Sequence, residues 1–405
     1  MKLIPNLYPF FLLALIQLFP LVARAQTTVT GTIQSGGLNR EYRLYVPAAY
    51  RPGTPVPLLF NLHGYGSNNL EQEAYGNFRP IADTANFLIV HPNGAVNPLG
   101  SRDWNTFLAP GSGGVDDVAF LSALLTDLQS RYSIDVNRVY STGMSNGGFM
   151  SYELACQLSG RIAAVASVTG SITTARLAAC RPQHPMPILE VHGTADTTVP
   201  YNGTSALGIT FTPIPDVLSY WVQLNGCNPA PAVTMLPNSS TTDFSTVERS
   251  VWSGGRQGSE VQHLRIIGGG HTWPGASLAP GFPQQSATNP TNQDISASVE
   301  VWRFLRRFRL NRLQVLPTTP AADAGPDFTI SPNPVGDDAQ VLVQASRPLR
   351  PAQVGLLDAL GRTLPAPAAA GPNGTVQLDL SAVPSGLYLV QVELAGRYHR
   401  YKVVR

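Results

Sequence analysis

A serine flanked by glycines is the first feature of the chain that could do chemistry: Gly143-Met144-Ser145-Asn146-Gly147 is a G-x-S-x-G pattern. The β-branched and aromatic residues before it predict a strand, and the small and apolar residues after it predict a helix. A sharp strand-to-helix turn strains the serine backbone and presents its hydroxyl above the sheet. Glycine is needed on both sides because a Cβ there would collide with a neighbouring strand or helix. The pattern predicts Ser145 as a nucleophile, and a Gly/Ser-rich turn without chemistry is the alternative.

Two later residues would complete a Ser-His-Asp set. Asp196 follows a predicted strand over 187–192, and His271 follows a predicted strand over 261–267 on a flexible glycine turn. In such a set the histidine takes the serine proton and the carboxylate fixes the tautomer of the imidazole. Of the seven histidines, only His271 follows the acid and ends a late strand. The chain order of serine, aspartate and histidine is that of the α/β-hydrolases. A turn-forming aspartate and a structural histidine are the alternatives.

Backbone N–H groups near the serine would have to stabilise the oxyanion of an acyl-transfer reaction. In hydrolases of this order, one comes from the loop after an early buried strand and the other from the residue after the serine. The apolar run 56–62 leads into His63-Gly64-Tyr65-Gly66, so we expect the N–H groups of Tyr65 and Asn146 to serve. An ordinary glycine turn is the alternative for Tyr65.

The long Gly/Pro/Asn-rich segment 92–114 is expected to line the site, since loops of this size at a sheet edge commonly do. Trp104 in this segment and Trp273 after the histidine are the candidate substrate contacts. An exposed Trp104 would stack on a sugar or an aromatic acyl group, and a loop-anchoring role is equally open. Asp116 and Asp117 could be mistaken for a catalytic pair, but they precede a helix and are expected to cap it.

The elements that position these residues alternate between strand and helix. The segment 27–46 predicts an edge hairpin with Gly36-Gly37 as its turn. Continuous apolar runs predict buried parallel strands, and apolar stripes predict helices over 118–132, 147–158, 214–224 and 295–310. The predicted fold class is α/β, an α/β-hydrolase with a mostly parallel central sheet followed by a small all-β sandwich.

The bulk composition restricts the class of protein. With 405 residues there is room for two domains, and 13% charged residues with a net charge of +2 give no indication of nucleic acid or of an acidic partner. Residues 1–25 read as a signal peptide, with Lys2, an apolar run and Ala23-Arg24-Ala25 before the cleavage point. The run is short and interrupted by proline, which disfavours the alternative of a membrane anchor. The chain is predicted to be secreted, without a stable membrane span.

Export permits disulfides, and the chain has three cysteines. Cys156 on the helix after Ser145 and Cys180 after the next strand could pair, which would leave Cys227 as a buried free thiol. No Cys/His cluster has zinc spacing, so neither a metal nor a cofactor is predicted.

Six blocks together resemble the secreted esterase family of poly(3-hydroxybutyrate) depolymerases and bacterial feruloyl and acetylxylan esterases, over about residues 27 to 312. They are His63-Gly64, Trp104-Asn105, Val115-Asp116-Asp117-Val118, Gly143-Met144-Ser145-Asn146-Gly147-Gly148, His192-Gly193-Thr194-Ala195-Asp196 and Gly269-Gly270-His271-Thr272-Trp273-Pro274-Gly275. The resemblance implies a serine esterase with the same three residues. Relatives pair a cysteine at position 227 with one before the last strand, and 252–255 contains none. That bond is not expected here.

A Pro/Ala/Thr-rich linker is predicted over 313–326, between a hydrolase domain at 26–312 and a β module at 327–405. Short runs between Gly/Pro turns indicate a sandwich. The module resembles the C-terminal sorting domain of the type IX secretion system, which implies passage through the outer membrane by that machinery and cleavage of the domain. The motifs are Ser331-Pro332-Asn333-Pro334, Leu356-Leu357-Asp358-Ala359-Leu360-Gly361-Arg362, 380–388 and Lys402-Val403-Val404-Arg405. A polymer-binding module would need a row of exposed aromatic residues.

The expected function is hydrolysis of carboxylic esters through an acyl-enzyme. Feruloyl or acetyl esters of plant polysaccharide are the first expectation for the substrate, since the Trp104 loop and export suit a polymer. Extracellular poly(3-hydroxybutyrate) depolymerisation is the second. A non-catalytic surface binding protein on a hydrolase fold is the alternative of another class.

Overall fold

The computed structural model describes residues 26–107, 114–206, 208–276 and 289–310, and residues 328–405 except 334, 337, 346, 359–362, 385 and 395–396. The predicted signal peptide and linker lie outside the described residues. The chain divides into two compact units between Leu313 and Gln314. The exact domain limits at 312 and 326 stay predictions.

The first unit is built on one ten-stranded sheet. The described residues of this unit form fourteen strands: β1 (Thr27–Ser35), β2 (Leu38–Val46), β3 (Val56–Leu62), β4 (Leu88–Pro92), β5 (Ala95–Val96), β6 (Arg102–Asp103), β7 (Ile134–Met144), β8 (Ala164–Val168), β9 (Ile188–Gly193), β10 (Thr204–Ala206), β11 (Ile209–Phe211), β12 (Ala232–Met235), β13 (Thr246–Trp252) and β14 (Val261–Ile267). The order in the large sheet is β1-β2-β4-β3-β7-β8-β9-β14-β13-β12. The strands from β4 to β14 in that order are parallel, and antiparallel strands close both edges. This is the predicted α/β class.

Seven helices accompany these strands among the described residues: α1 (Asn69–Tyr75), α2 (Arg79–Ala85), α3 (Asp117–Arg131), α4 (Asn146–Gln157), α5 (Thr174–Ala179), α6 (Ile214–Asn225) and α7 (Ala297–Leu305). Two separate apolar clusters pack on the sheet, so its central strands are buried on both faces. That burial explains why the central strands read as continuous apolar runs. The helix predicted over 295–310 is shorter than expected, because the Ser296 side chain caps its start and the helix ends at Leu305.

The edge hairpin and the helix cap agree with the sequence. Ser35 pairs with Leu38 across the turn, where Gly36 and Gly37 have φ of +59° and +76°. Asp116 is the N-cap of α3 and accepts a hydrogen bond from the Ala119 N–H at 2.8 Å. Asp117 forms a buried ion pair with Arg40 at 2.6 Å. The two aspartates therefore hold a helix end.

The second unit is a sandwich of two four-stranded sheets that share one apolar core. Its strands are β15 (Phe328–Ser331), β16 (Gln340–Ala345), β17 (Val354–Leu357), β18 (Thr363–Leu364), β19 (Ala368–Ala370), β20 (Val376–Asp379), β21 (Leu387–Leu394) and β22 (Arg397–Val404). The orders are β15-β16-β20-β19 and β18-β17-β21-β22. The sequence missed the short strands β18 and β19, which lack a clear alternating pattern.

Candidate active site

Ser145 occupies the turn between β7 and α4, with φ of 54° and ψ of −121°. Its N–H donates to the Val168 carbonyl at 2.9 Å, which ties the turn to the adjacent strand β8. A Cβ on Gly147 would lie 2.1 Å from the Leu62 carbonyl oxygen, and one on Gly143 would lie 2.6 Å from the same atom. Both contacts are impossible for a real side chain, so the two glycines of the motif let the turn pack against β3.

Asp196 and His271 meet at the same edge of the sheet. The Nδ1 atom of His271 lies 2.7 Å from Oδ2 of Asp196. The aspartate side chain is fully buried, and the imidazole keeps 12% of its surface exposed. Since a carboxylate accepts, Nδ1 carries the proton and Nε2 is left to accept another.

The loop that carries His271 crosses the end of β9. A Cβ on Gly193 would lie 2.2 Å from the Gly269 carbonyl oxygen, so only glycine permits the crossing. Asn289 holds the loop through a 2.7 Å hydrogen bond from the His271 N–H to its Oδ1. The described residues contain no hydrogen bond between Ser145 Oγ and His271 Nε2. Such contacts are often long outside the reacting complex.

The two expected oxyanion donors lie beside the serine in the chain fold. A Cβ on Gly64, the residue before Tyr65, would be 3.4 Å from the Ser145 Cβ. Asn146 is the first residue of α4, where the backbone N–H groups have no acceptor within the helix. Among the described residues, no hydrogen bond is recorded for the N–H of Tyr65. The Tyr65 side chain is itself exposed.

A buried hydrogen-bond network holds the segments that carry Tyr65 and Asn146, and the sequence did not predict it. The Asn146 side chain accepts from the Trp104 N–H at 2.7 Å and donates to Thr106 Oγ1 at 2.7 Å. The Trp104 indole N–H donates to the His63 carbonyl at 2.9 Å. His63 in turn accepts from the Gly94 N–H at 2.9 Å.

The tautomer and the pKa of His63 follow from this hydrogen-bond network and from burial. Because Nε2 accepts from the Gly94 N–H, the proton is on Nδ1, which donates to the Gly64 carbonyl at 2.7 Å. Burial lowers the pKa of His63 from 6.5 to about 4, against a smaller opposite effect of the Gly64 bond. A neutral imidazole therefore fixes the loop that contains Tyr65.

The structure does not support Trp104 and Trp273 as substrate contacts, and for Trp104 it agrees with the alternative of a loop anchor. Trp104 is 0% exposed and Trp273 is 3% exposed. The Trp273 indole N–H donates to Ser298 Oγ at 3.1 Å, and the ring packs edge-on against Phe78. Both side chains are loop anchors because each indole N–H finds its acceptor inside the protein, and neither presents a ring face to a substrate.

The predicted disulfide between Cys156 and Cys180 is present, with a Cα–Cα distance of 4.8 Å. Cys227 is a buried free cysteine. Within the described part of the chain, no cluster of three or more His, Cys, Asp or Glu residues has an arrangement suited to a metal ion. The same part contains no helix with the length and apolar character that a bilayer crossing requires.

Comparison with known proteins gives two matches to family models. Residues 40–181 match the family described as esterase PHB depolymerase, and residues 329–404 match the secretion system C-terminal sorting domain. The sorting domain indicates export from the cell.

Among the curated relatives, a bifunctional acetylxylan esterase/xylanase of Neocallimastix patriciarum is 26% identical over 62% of this chain and 34% of its own length. Feruloyl esterase B of Piromyces equi is 28% identical over 56% of this chain and 41% of its own length. Feruloyl esterase C of Emericella nidulans is 29% identical over 63% and 89%. The chain thus spans less than half the length of the Neocallimastix patriciarum and Piromyces equi proteins. By these matches, residues 40–181 are similar to the esterase PHB depolymerase family, and residues 329–404 are similar to secretion system C-terminal sorting domains.

Proposed function

We propose that the chain is an exported serine esterase that hydrolyses feruloyl or acetyl esters of plant polysaccharide through an acyl-enzyme. The observation that carries the proposal is the 2.7 Å bond between His271 Nδ1 and buried Asp196, on a loop that crosses the end of β9. This arrangement leaves Nε2 of the imidazole unprotonated, as a general base requires.

In the proposed reaction, Ser145 Oγ attacks the acyl carbon while His271 Nε2 takes the hydroxyl proton. The N–H groups of Tyr65 and Asn146 stabilise the oxyanion, a contribution of about 3–4 kcal/mol for each donor. Collapse of the tetrahedral intermediate breaks the ester bond, and His271 returns the proton to the leaving alcohol. Water, deprotonated by His271, then attacks the acyl-serine, and the carboxylic acid leaves as Ser145 recovers its proton.

A cluster of three phenylalanines supports an aromatic acyl group. Phe149 on α4, Phe211 on β11 and Phe107 have ring centroids 4.9–5.4 Å apart. Phe107 and Phe211 are partly exposed, and Phe107 follows Thr106, the side-chain partner of Asn146. A planar phenylpropenoyl ring would pack against such a surface, whereas an acetyl group would leave it unused. Feruloyl esters are therefore the first choice of substrate.

Poly(3-hydroxybutyrate) depolymerisation is the second candidate, favoured by the family match over 40–181. A non-catalytic surface binding protein is the alternative of another class, and the buried His271–Asp196 bond argues against it. Product assays on feruloylated xylan, acetylxylan and polyhydroxybutyrate granules, run side by side, separate the substrates. Absence of labelling by a fluorophosphonate probe would favour the binding protein.

Ser145→Ala is expected to abolish ester hydrolysis, because the variant has no nucleophile. The measurement is turnover of p-nitrophenyl acetate, with thermal unfolding to establish that the variant is folded. Turnover at the wild-type rate by the folded variant would refute the serine mechanism.

Phe211→Ala is expected to raise KM for a feruloyl ester by about tenfold, the value of roughly one aromatic contact of 1.4 kcal/mol. KM for p-nitrophenyl acetate should change less than twofold, since its acyl group has no aromatic ring to pack against Phe211. Equal changes for both esters would remove the aromatic cluster from the substrate argument.

For export, we propose removal of residues 1–25 as a signal peptide and recognition of residues 327–405 by the type IX machinery, followed by cleavage of the domain. The match of 329–404 to a sorting domain supports this route. Mass spectrometry of the protein in the culture medium gives both ends of the mature chain, and retention of 1–25 there would contradict it.

A further inference from the structure

Asp196, the proposed carboxylate of the Ser-His-Asp set, has contacts besides its bond to His271. Its Oδ1 accepts hydrogen bonds from the backbone N–H groups of Thr198 and Val199, both at 2.8 Å. Its Oδ2 receives His271 Nδ1 at 2.7 Å. A second imidazole nitrogen, Nε2 of His192, lies 3.5 Å from the same Oδ2.

His192 is fully buried, and both of its ring nitrogens face acceptors. Nε2 lies 2.8 Å from the Val199 carbonyl oxygen, which can only accept, so Nε2 carries a proton. Nδ1 lies 2.9 Å from Oε1 of Glu190. The other oxygen of Glu190 accepts from the Tyr152 hydroxyl at 2.7 Å. When Glu190 is ionised it can only accept, so Nδ1 also carries a proton, and His192 is an imidazolium paired with a carboxylate that has no exposure to water.

The sheet places these groups on one face. Glu190 and His192 are two residues apart on β9, so their side chains point the same way. Ser167 on β8 and His263 on β14 are the register partners of Glu190. Arg265 is the register partner of His192, and the Tyr201 ring lies 6.0 Å from the His192 ring.

The charges of the neighbouring groups agree with a protonated His192. Burial by itself lowers the pKa of His192, but Glu190 and then Asp196 together raise it above its usual value. Burial raises the pKa of Glu190, against the opposing effects of His192, Tyr152 and Ser167. Burial and then the charges of His192 and Arg265 lower the pKa of His263 to about 3, so that ring is neutral. The Glu190–His192 pair is neutral as a whole, with its positive end toward Asp196.

We propose that Glu190 and His192 are positioning residues for Asp196. His192 holds the Val199 carbonyl, and so fixes the turn whose N–H groups bind Oδ1. Its positive charge also lies 3.5 Å from Oδ2, the oxygen that accepts from His271. Glu190 keeps the ring of His192 charged and oriented. The inference rests on the proposed serine mechanism, because it assigns to the pair a role in the work of Asp196 and His271.

Glu190→Gln is the sharpest test, because an amide keeps the shape and the hydrogen-bonding capacity of the side chain but removes its charge. His192→Gln is the second variant, and removes the ring. Tyr152→Phe leaves both charges in place. His91→Gln is the matched control, since His91 is another buried histidine, at the end of β4, and has no hydrogen-bond partner within the described residues. The assay is kcat and KM for p-nitrophenyl acetate between pH 5 and 9, with thermal unfolding of each variant.

We expect Glu190→Gln and His192→Gln to lower kcat by about tenfold with KM within twofold, as for a misplaced catalytic group. The acid limb of the kcat/KM profile should move to higher pH by about half a unit, because an imidazolium at 271 is no longer opposed by one at 192. His91→Gln and Tyr152→Phe should keep the wild-type acid limb, whatever stability they lose.

If folded Glu190→Gln keeps kcat within twofold and an unchanged acid limb, the pair is structural and the inference is overturned. If His192→Gln does not fold, Glu190→Gln decides alone. Failure of the proposed function has a different signature, namely hydrolysis by Ser145→Ala at the wild-type rate. In that case Asp196 and His271 lose their assigned roles, and the positioning role falls with them.

Discussion

Two buried histidines follow the same rule of hydrogen bonding and reach opposite charges. His63 follows β3 and His192 lies near the end of β9, both at the carboxyl edge of the sheet, and both are 0% exposed. His63 has one donor and one acceptor as partners, the Gly94 N–H and the Gly64 carbonyl. His192 has two acceptors, the Val199 carbonyl and the Glu190 carboxylate.

The difference shows that burial alone does not determine the state of a histidine in this fold. A donor and an acceptor together require a neutral ring, whereas two acceptors require a proton on each nitrogen. The pKa of His63 is accordingly lowered to about 4, and that of His192 is raised. The neutral ring fixes a loop, while the charged ring faces the proposed catalytic acid.

The largest expected effect of this difference is on stability in acid. When the folded pKa of a histidine is lowered, the unfolded state binds more protons than the folded state between pH 6.5 and pH 4. The stability contributed by the neutral ring is therefore fully present above pH 6.5 and is lost as the pH falls from 6.5 to 4. For His63 the shift corresponds to about 3 kcal/mol. His63→Gln keeps an acceptor for the Gly94 N–H but does not titrate. We expect the free energy of unfolding of the wild type, relative to His63→Gln, to fall by about 3 kcal/mol from pH 7 to pH 4, as measured by urea unfolding.

For His192→Gln, the same urea unfolding measurement is expected to show the opposite pH dependence. A histidine with a raised folded pKa contributes stability that is fully present below 6.5 and is lost as the pH rises through the folded pKa. The wild type should therefore gain stability relative to His192→Gln as the pH is lowered. The same slope for both variants would mean that the two rings share one charge state, against the hydrogen-bond argument.

The sequence predicted the parts of the site that depend on local geometry. The glycines of the G-x-S-x-G turn, the hairpin at Gly36-Gly37 and the Asp116 cap each follow from steric or hydrogen-bonding rules that act over a few residues. The burial of Trp104 could not be predicted, since a loop composition does not say which indole N–H finds an acceptor across the fold.

The pairing of Glu190 and His192 has a signal in the sequence. Two polar residues at i and i+2 in an otherwise apolar strand share one face and must satisfy each other when that face is covered. In the sequence, His192 stands out only as the first residue of the block that ends in Asp196. Its second acceptor, the Val199 carbonyl, comes from the loop after β9, and no local pattern indicates that contact.

The smallest expected effect tests the neutral ring through its neighbour. Trp104→Phe keeps a buried aromatic ring but removes the indole N–H that donates to the His63 carbonyl at 2.9 Å. The loss of one buried hydrogen bond is expected to cost about 1 kcal/mol of stability. The Trp104 backbone also forms two hydrogen bonds with the Asn146 side chain, so a shift of residue 104 would displace the proposed oxyanion donor slightly. We therefore expect kcat for p-nitrophenyl acetate to fall about threefold.

Trp302→Phe is the matched control for this variant. Trp302 is also buried, stacked on Phe87 with ring centroids 3.7 Å apart, and its indole N–H has no hydrogen-bond partner within the described residues. That variant should lose only packing and keep the wild-type kcat. Equal kcat values for the two folded variants would show that the indole bond to His63 does not affect the position of the oxyanion donors. The hydrogen-bond network around His63 would then contribute to stability alone.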